Sequence, residues 1–269
     1  MGYDDGQNIK IESRFAEGQH ERFPEIFAEL NGLKVDVLVV TGAVTARAAK
    51  KAVSDTLIIF AMVVDPVADN AVSSLERPGG MLTGVTSFDP QQATKQLELF
   101  RVAIPNLKRV AILGDQGVSE ALMNASEEQA KAMGLQPLRH RIAGPNPELE
   151  GTFAMIKTEH ADALLVLEEP VLGVHAAEIA TLATKDSLPT MFPPSRVAAG
   201  GLISYGTIQV EAIRRMAVYV DRVLKGAKPG DLPVETVTRY ELIANLKTAQ
   251  QIGITIPPAV LKRADRMIQ

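Results

Sequence analysis

Thr41-Gly42 and Thr45 stand where an apolar run, Val35–Val40, gives way to a helix-like segment. Gly42 would let the backbone come close to a ligand. Free N–H groups at a helix start, together with the two hydroxyls, could hold a carboxylate. Plain helix capping by Thr41 or Thr45 uses the same geometry. Asp65 in Val64-Asp65-Pro66 could accept from a ligand ammonium or close a turn. Ser87 lies where one group of strand–helix units passes to the next, so its hydroxyl is placed to meet a ligand. Gly114-Asp115-Gln116-Gly117 ends a strand, and its glycines permit a tight turn or an anion-binding nest. Glu168-Glu169 and Ser195-Arg196 follow two more strand ends, where α/β proteins bind ligands. Arg196 could reach a carboxylate or stay solvated. Tyr205 could stack on a flat apolar ligand or pack as core.

These residues do not compose a catalytic site. There is no G-x-G-x-x-G after a strand, no G-x-x-x-x-G-K-[ST] and no G-x-S-x-G. His20, His140, His160 and His175 have no ligand spacing, so no metal site is expected. Glu168 and Glu169 are adjacent, and adjacent carboxylates diverge instead of facing one substrate. Neither a cofactor nor a catalytic residue is expected. Small polar groups at many strand ends suit a clamp around a small zwitterion better than an enzyme.

The elements that must position these groups read as alternating strands and helices. Strands are expected at Ile9–Phe15, Val35–Val40, Leu57–Val63, Leu82–Ser87, Arg109–Leu113, Gln136–Ile142, Ala163–Leu167, Pro189–Phe192 and Leu202–Tyr205. The near-continuous apolar runs of Val35–Val40 and Ala163–Leu167 suit strands buried on both faces of a parallel sheet. Helices are expected around Phe23, Ile26, Phe27 and Leu30, and from Asp89-Pro90 through Leu97 and Phe100. Another follows Pro147 with Leu149, Phe153 and Ile156. A longer one carries Val210, Ile213, Ala217, Val220 and Leu224 as its apolar stripe and ends near Gly226. The tail adds strand-like Val234–Arg239, the segment Leu246–Ile252 and a helix entered through Pro257-Pro258.

This alternation predicts α/β architecture with mainly parallel sheets. It divides into two doubly wound lobes joined by a hinge, with an interlobe cleft. Lobe 1 is expected from residues 1–88 and 207–232, lobe 2 from 89–206 and 233–269. A chain of 269 residues supplies core for both. The net charge of -4 argues against nucleic acid as a partner. The absence of Cys removes disulfides and thiolate metal sites. No apolar run is long enough to span a membrane, and the first residues lack the basic and apolar stretches of a secretory signal.

The sequence resembles the substrate-binding proteins of ABC transporters, in the tryptophan/phenylalanine-type group. The resemblance is carried by Gly2-Tyr3 and Gly6-Gln7-Asn8-Ile9, Leu33–Val37, Asp65-Pro66-Val67, Leu75–Gly84, Ala199–Gly206, Ala217–Asp221, Leu224–Glu235 and Asn245–Ala249, in family order over essentially the whole chain. It implies the type I periplasmic-binding-protein fold and a monomeric extracytoplasmic receptor. That receptor closes on a small solute, possibly an amino acid or another small carboxylate, and delivers it to a permease with an ATPase. By position, Thr41, Gly42, Asp65, Ser87 and the loop near Tyr205 would face the solute. Asp115 stands in a loop where the family usually has Asn-Pro. The family also has a signal, a strand and a helix before its Gly-Tyr turn, whereas this chain starts at the turn. The expectation is therefore a first lobe without its first strand and helix. A ligand-sensing regulator domain, or an α/β enzyme using Glu168 or Asp65, are the competing readings. The scarcity of aromatic residues, 4% with no Trp, leaves the solute open.

Overall fold

The computed structural model describes residues 2–17, 19–63, 65–87, 91–118, 120–168 and 170–269. The chain forms two compact units, Met1–Phe88 with Gln209–Val237 and Asp89–Ile208 with Thr238–Gln269.

The first unit is built on a parallel sheet of β1 (Val37–Thr41), β2 (Leu57–Val63), β3 (Leu82–Thr86) and β9 (Glu235–Thr236), in that spatial order. β2 is central, and Ile58, Ile59, Phe60, Ala61 and Val63 are all fully buried. Its alternate side chains feed two cores. Ile58, Phe60 and Val63 pack with α1 (Phe23–Gly32) and α2 (Ala43–Ala52), while Ile59 and Ala61 pack with α8 (Gln209–Leu224). Burial on both faces is what an uninterrupted apolar strand needs. Gly84 of β3 is required by the same closeness, because a Cβ there would lie 2.0 Å from the Phe60 carbonyl oxygen.

Three expectations for this unit are corrected. Residues 9–15 form no strand: Asp4–Ile9 make a tight turn, with the Gly6 N–H donating to the Ile9 carbonyl across 2.8 Å, and the chain then runs on without a ladder. Its anchors are side chains, Tyr3 donating to Asp221 of α8 and Arg14 to Glu29 of α1. Extended backbone becomes a strand only when a neighbouring strand takes its hydrogen bonds, and among the described residues β1 pairs with β2 alone. Ile11 and Phe15 are left 60% and 75% exposed. The buried face of α8 is Ala212, Met216, Tyr219 and Val223, whereas Val210, Ile213 and Leu224 of the expected stripe are exposed. Tyr219 decides the rotation: its ring is buried and its hydroxyl donates to the Pro233 carbonyl. The return segment also runs to Val237 instead of ending at 232, since β9 pairs with β3 and the Val237 N–H donates to the Thr86 carbonyl.

The second unit contains β4 (Arg109–Asp115), β5 (Gln136–Ile142), β6 (Ala163–Val166), β7 (Thr190–Phe192), β8 (Ile203–Thr207), β10 (Tyr240–Asn245) and β11 (Arg266–Ile268). Their order is β11-β10-β8-β7-β6-β4-β5. All pairs are parallel except β8 with β10. The helices are α3 (Gln92–Ala103), α4 (Glu120–Ala132), α5 (Leu149–Thr158), α6 (Pro170–Val174), α7 (Ala176–Lys185), α9 (Leu246–Ile252) and α10 (Pro258–Leu261). Leu97 and Phe100 of α3 and Leu149, Phe153 and Ile156 of α5 are buried on the faces expected of them. The start expected for α3 at Asp89-Pro90 lies outside the described residues. The antiparallel β10 is an element the sequence reading did not contain. Its Leu242, Ile243 and Ala244 are buried, but an apolar run this short carries little period. The sheet winds outward from β4, to β5 on one side and β6 on the other. The switch point therefore falls between β4 and β6, where open α/β sheets bind ligands.

Candidate functional site

Each unit presents its own set of polar groups at the carboxyl ends of its strands. In the first, β1 ends at the exposed Thr41 and Gly42 caps α2. Gly42 has φ 82° and ψ 154°, a conformation that side-chain-bearing residues avoid. Its N–H donates to the Ala61 carbonyl across 2.9 Å, fixing the turn to β2. No side chain caps α2, so neither Thr41 nor Thr45 takes the capping role. Thr45 sits half-buried in the first turn.

The end of β2 is bent. Met62 adopts φ 59° at a register shift between Ala61 and Val63, a left-handed position uncommon for a non-glycine residue. Beyond it, the Asp65 carboxylate uses Oδ1 to accept the N–H groups of Val67 and Ala68, at 3.2 and 2.9 Å. Sequence reasoning missed the neighbouring Asp69, which is buried and paired with Arg47 at 2.9 Å. Burial holds the Asp69 carboxyl above its usual range; the Arg47 charge opposes this and the Asp65 charge adds to it. Its signal was the spacing of two carboxylates four residues apart in one loop. Ser87 follows β3 and is half-buried.

In the second unit, Asp115 at the end of β4 is almost completely buried. Its Oδ1 accepts from the Gly117 N–H at 2.6 Å and its Oδ2 from the Val171 N–H at 3.2 Å. The carboxylate thus closes its own loop and joins it to α6. Arg141, at the end of β5, donates to the carbonyls of Asp115 and Val118 and to Glu120. Asp115 and Arg141 shape this loop through its backbone, and the Asp115 carboxylate points into the protein's own N–H groups.

Glu168 follows β6 and is half-buried. The Ser195 hydroxyl, beyond β7, donates to its Oε1 across 3.2 Å. Burial pushes the Glu168 carboxyl up to about 7, while the Ser195 hydrogen bond and the Arg196 charge pull it down. Arg196 is exposed, and its guanidinium lies over α6, where a Cβ on Gly173 would meet Nε and Nη2 at 2.9 Å. Glu168, Ser195 and Arg196 thus share one strand-end cluster. Glu169 lies outside the described residues. Tyr205, within β8, stacks on Tyr240 of β10 with ring centres 5.6 Å apart and planes at 8°. Lys95 of α3 lies 5.2 Å from the Tyr240 ring centre, and Gln96 donates to the Tyr205 carbonyl. This aromatic pair depends on β10, so the sequence reading contained only half of it.

A depression of about 270 Å³ lies elsewhere, at the amino ends of β6 and β7. Phe153, Lys157, His160, Asp162, Asp186 and Leu188 line it, and Lys157 and Asp186 are bridged across it at 2.5 Å. None of the strand-end residues takes part. Among the histidines, His175 is held by the Pro145 carbonyl and Glu178, His140 lies beside Glu159, and His20 stacks on Phe23.

Residues 1–268 match the family described as ABC transporter substrate binding protein. A tyrosine-binding protein of Clostridioides difficile (strain R20291) is 24% identical over 256 residues, spanning 94% of this chain and 73% of that protein. The crystal structure of a conserved domain protein from Vibrio cholerae O1 biovar El Tor superposes with a TM-score of 0.90 at 27% identity, covering 99% of this chain and 90% of the other. An ABC domain from Streptococcus pneumonia, solved with L-Trp, superposes with a TM-score of 0.89 at 28% identity, over the same shares.

Proposed function

This chain belongs to the ABC transporter substrate-binding protein family and has the type I periplasmic-binding-protein fold, and from that premise we propose that it binds an α-amino acid, aromatic ones first. The family is one of solute binders and not of enzymes, and its members are typically extracytoplasmic. Among the described residues, no helix is long and apolar enough to cross a membrane. In this reading the chain is the receptor of an import system and hands its solute to a permease driven by an ATPase.

The observation that carries the reading is the start of α2, which has Gly42 as its cap residue and no side-chain cap, beside Thr41. Peptide N–H groups and the helix dipole favour an anion there, and an amino-acid carboxylate supplies one. Thr45, Asp65 and Ser87 extend this set in the first unit. The second unit carries a set of its own, Glu168, Ser195 and the Tyr205–Tyr240 stack at its strand ends, with Asp115 holding its loop. The aromatic preference draws on relatives that bind tyrosine and L-Trp.

Calorimetry and thermal shift with the twenty amino acids, their deaminated analogues and small aromatic acids test this. One-to-one binding of an aromatic amino acid without chemical change is expected. A panel that neither shifts the melting temperature nor releases heat overturns the reading. So does turnover that Asp65→Asn or Glu168→Gln abolishes.

A further inference from the structure

The apolar stripe that the sequence predicts for α8 lies on the surface of the first unit. Val210 is 53% and Ile213 50% exposed, Ala217 and Leu224 are exposed, and Val220 is half-buried. The unit's own core takes a different face of the helix, Ala212, Met216, Tyr219 and Val223. Steps of three, four, three and four residues separate Val210, Ile213, Ala217, Val220 and Leu224, the spacing of a seam between two helices. The charges beside the stripe favour one kind of occupant. One flank, Met216 and Val223, runs into the core. The other carries Arg214 and Asp221, one cation and one anion two turns apart. An anionic lipid surface would favour a flank of basic residues alone. A flank with one charge of each sign, set either side of the stripe's middle, is complementary to an antiparallel copy of itself. Ala217 stands near that middle, and its small side chain lets a second helix come close.

We propose that the exposed stripe of α8 joins two copies of this chain, paired antiparallel about a two-fold axis between Ala217 and Val220. Ala217 then packs on the partner's Val220 and Ile213 on the partner's Leu224. Each contact occurs twice, as an isologous interface requires. Arg214 comes up to the partner's Asp221 along one side of the seam. Asp221 already accepts the Tyr3 hydroxyl at 3.1 Å and the Lys225 ammonium at 2.9 Å, and a carboxylate has room for a further donor. The resemblance implies a monomer, and the size of the surface reconciles the two. One pair of sixteen-residue helices falls short of the roughly 800 Å² per partner of a standard interface. The dimer is therefore weak, with a dissociation constant on the order of 10 μM or above, and dilute protein is monomeric. Solute binding does not depend on this contact.

The test is sedimentation equilibrium of the 269-residue protein from about 1 μM to about 1 mM. Monomer is expected at the low end and dimer at the high end. Ala217→Glu puts a charge at the centre of the seam and should weaken association at least about tenfold. Its melting temperature should match the parent's, because the position is exposed. Arg214→Glu sets like charges against each other across the seam and should weaken association to a similar degree. Adding Asp221→Arg to that variant should recover part of the loss, a recovery that no folding defect would give. Monomer at every concentration overturns the proposal. A dimer that neither Ala217→Glu nor Arg214→Glu weakens does the same. Monomeric protein that floats with phosphatidylserine vesicles assigns the stripe to lipid and also overturns it. Calorimetry with amino acids on Ala217→Glu reads the solute proposal separately, so either can fail alone.

Discussion

Arg215 of α8 and Glu235 of β9 form a two-pronged ion pair, with Nη2 at 2.7 Å from Oε1 and Nε on Oε2. The pair fastens the edge strand of the first sheet to the helix that covers it, next to the Tyr219 hydroxyl on the Pro233 carbonyl. The Arg215 hydrogen bond holds the Glu235 carboxyl below its ordinary value. A lowered carboxyl stabilises the fold above its unfolded value and stops doing so as pH falls through its folded one. Both side chains are about a third or more exposed, so solvent screening reduces the effect to about 1 kcal/mol or less. Glu235→Gln should therefore lower the urea midpoint at pH 7 slightly, and the difference from the parent should shrink as pH falls below the ordinary glutamate range and Glu235 takes up its proton. A difference that does not shrink with falling pH would assign the effect to packing.

Phe60 and Phe15 are the same residue type in opposite circumstances, fully buried and 75% exposed. Phe60→Ala should cost about 3–5 kcal/mol in denaturant unfolding, the transfer and cavity cost of a core aromatic. Phe15→Ser should stay within about 0.5 kcal/mol of the parent, as surface changes do. A comparable loss from Phe15→Ser would mean that residues 9–15 are packed in solution.

Gly84→Ala tests how closely β3 lies against β2. The new Cβ would meet the Phe60 carbonyl oxygen at 2.0 Å, a contact with backbone that no rotamer relieves. Loss of soluble, cooperatively unfolding protein is expected. Gly134→Ala, with open space around its Cβ but φ 75°, should give soluble protein with only a modest loss. Equal behaviour of the two variants would contradict the sheet packing.

Asp115 and Thr45 separate loop building from ligand contact. Asp115→Ala strands two buried N–H groups and should destabilise by about 1–3 kcal/mol. Thr45→Ala removes no cap and should leave the melting temperature nearly unchanged while weakening solute binding about tenfold, the value of one hydrogen bond. A stability loss near 1 kcal/mol for Thr45→Ala would instead identify it as a capping residue.

The local chain determined the α/β alternation, the parallel strands and most of the helix faces. The Ala163–Val166 strand is buried on both faces, as its apolar run implies, whereas Val35–Val40, read the same way, leaves Val39 half exposed in β1. The polar residues that end them are legible too, since strand ends are where the backbone turns toward water. What depends on a distant partner was decided only by the tertiary structure. Residues 9–15 have strand-like composition but, among the described residues, no neighbouring strand to form a ladder with, and their backbone groups bond to turns and side chains instead. β10 exists because β8 offers an edge, and the Tyr205–Tyr240 stack exists because β10 does. The rotation of α8 was settled by one buried tyrosine and the carbonyl it reaches fourteen residues away. The chemistry of Glu168 was equally out of reach, because its residue type reveals neither its burial nor the Ser195 hydroxyl brought to it by the end of another strand.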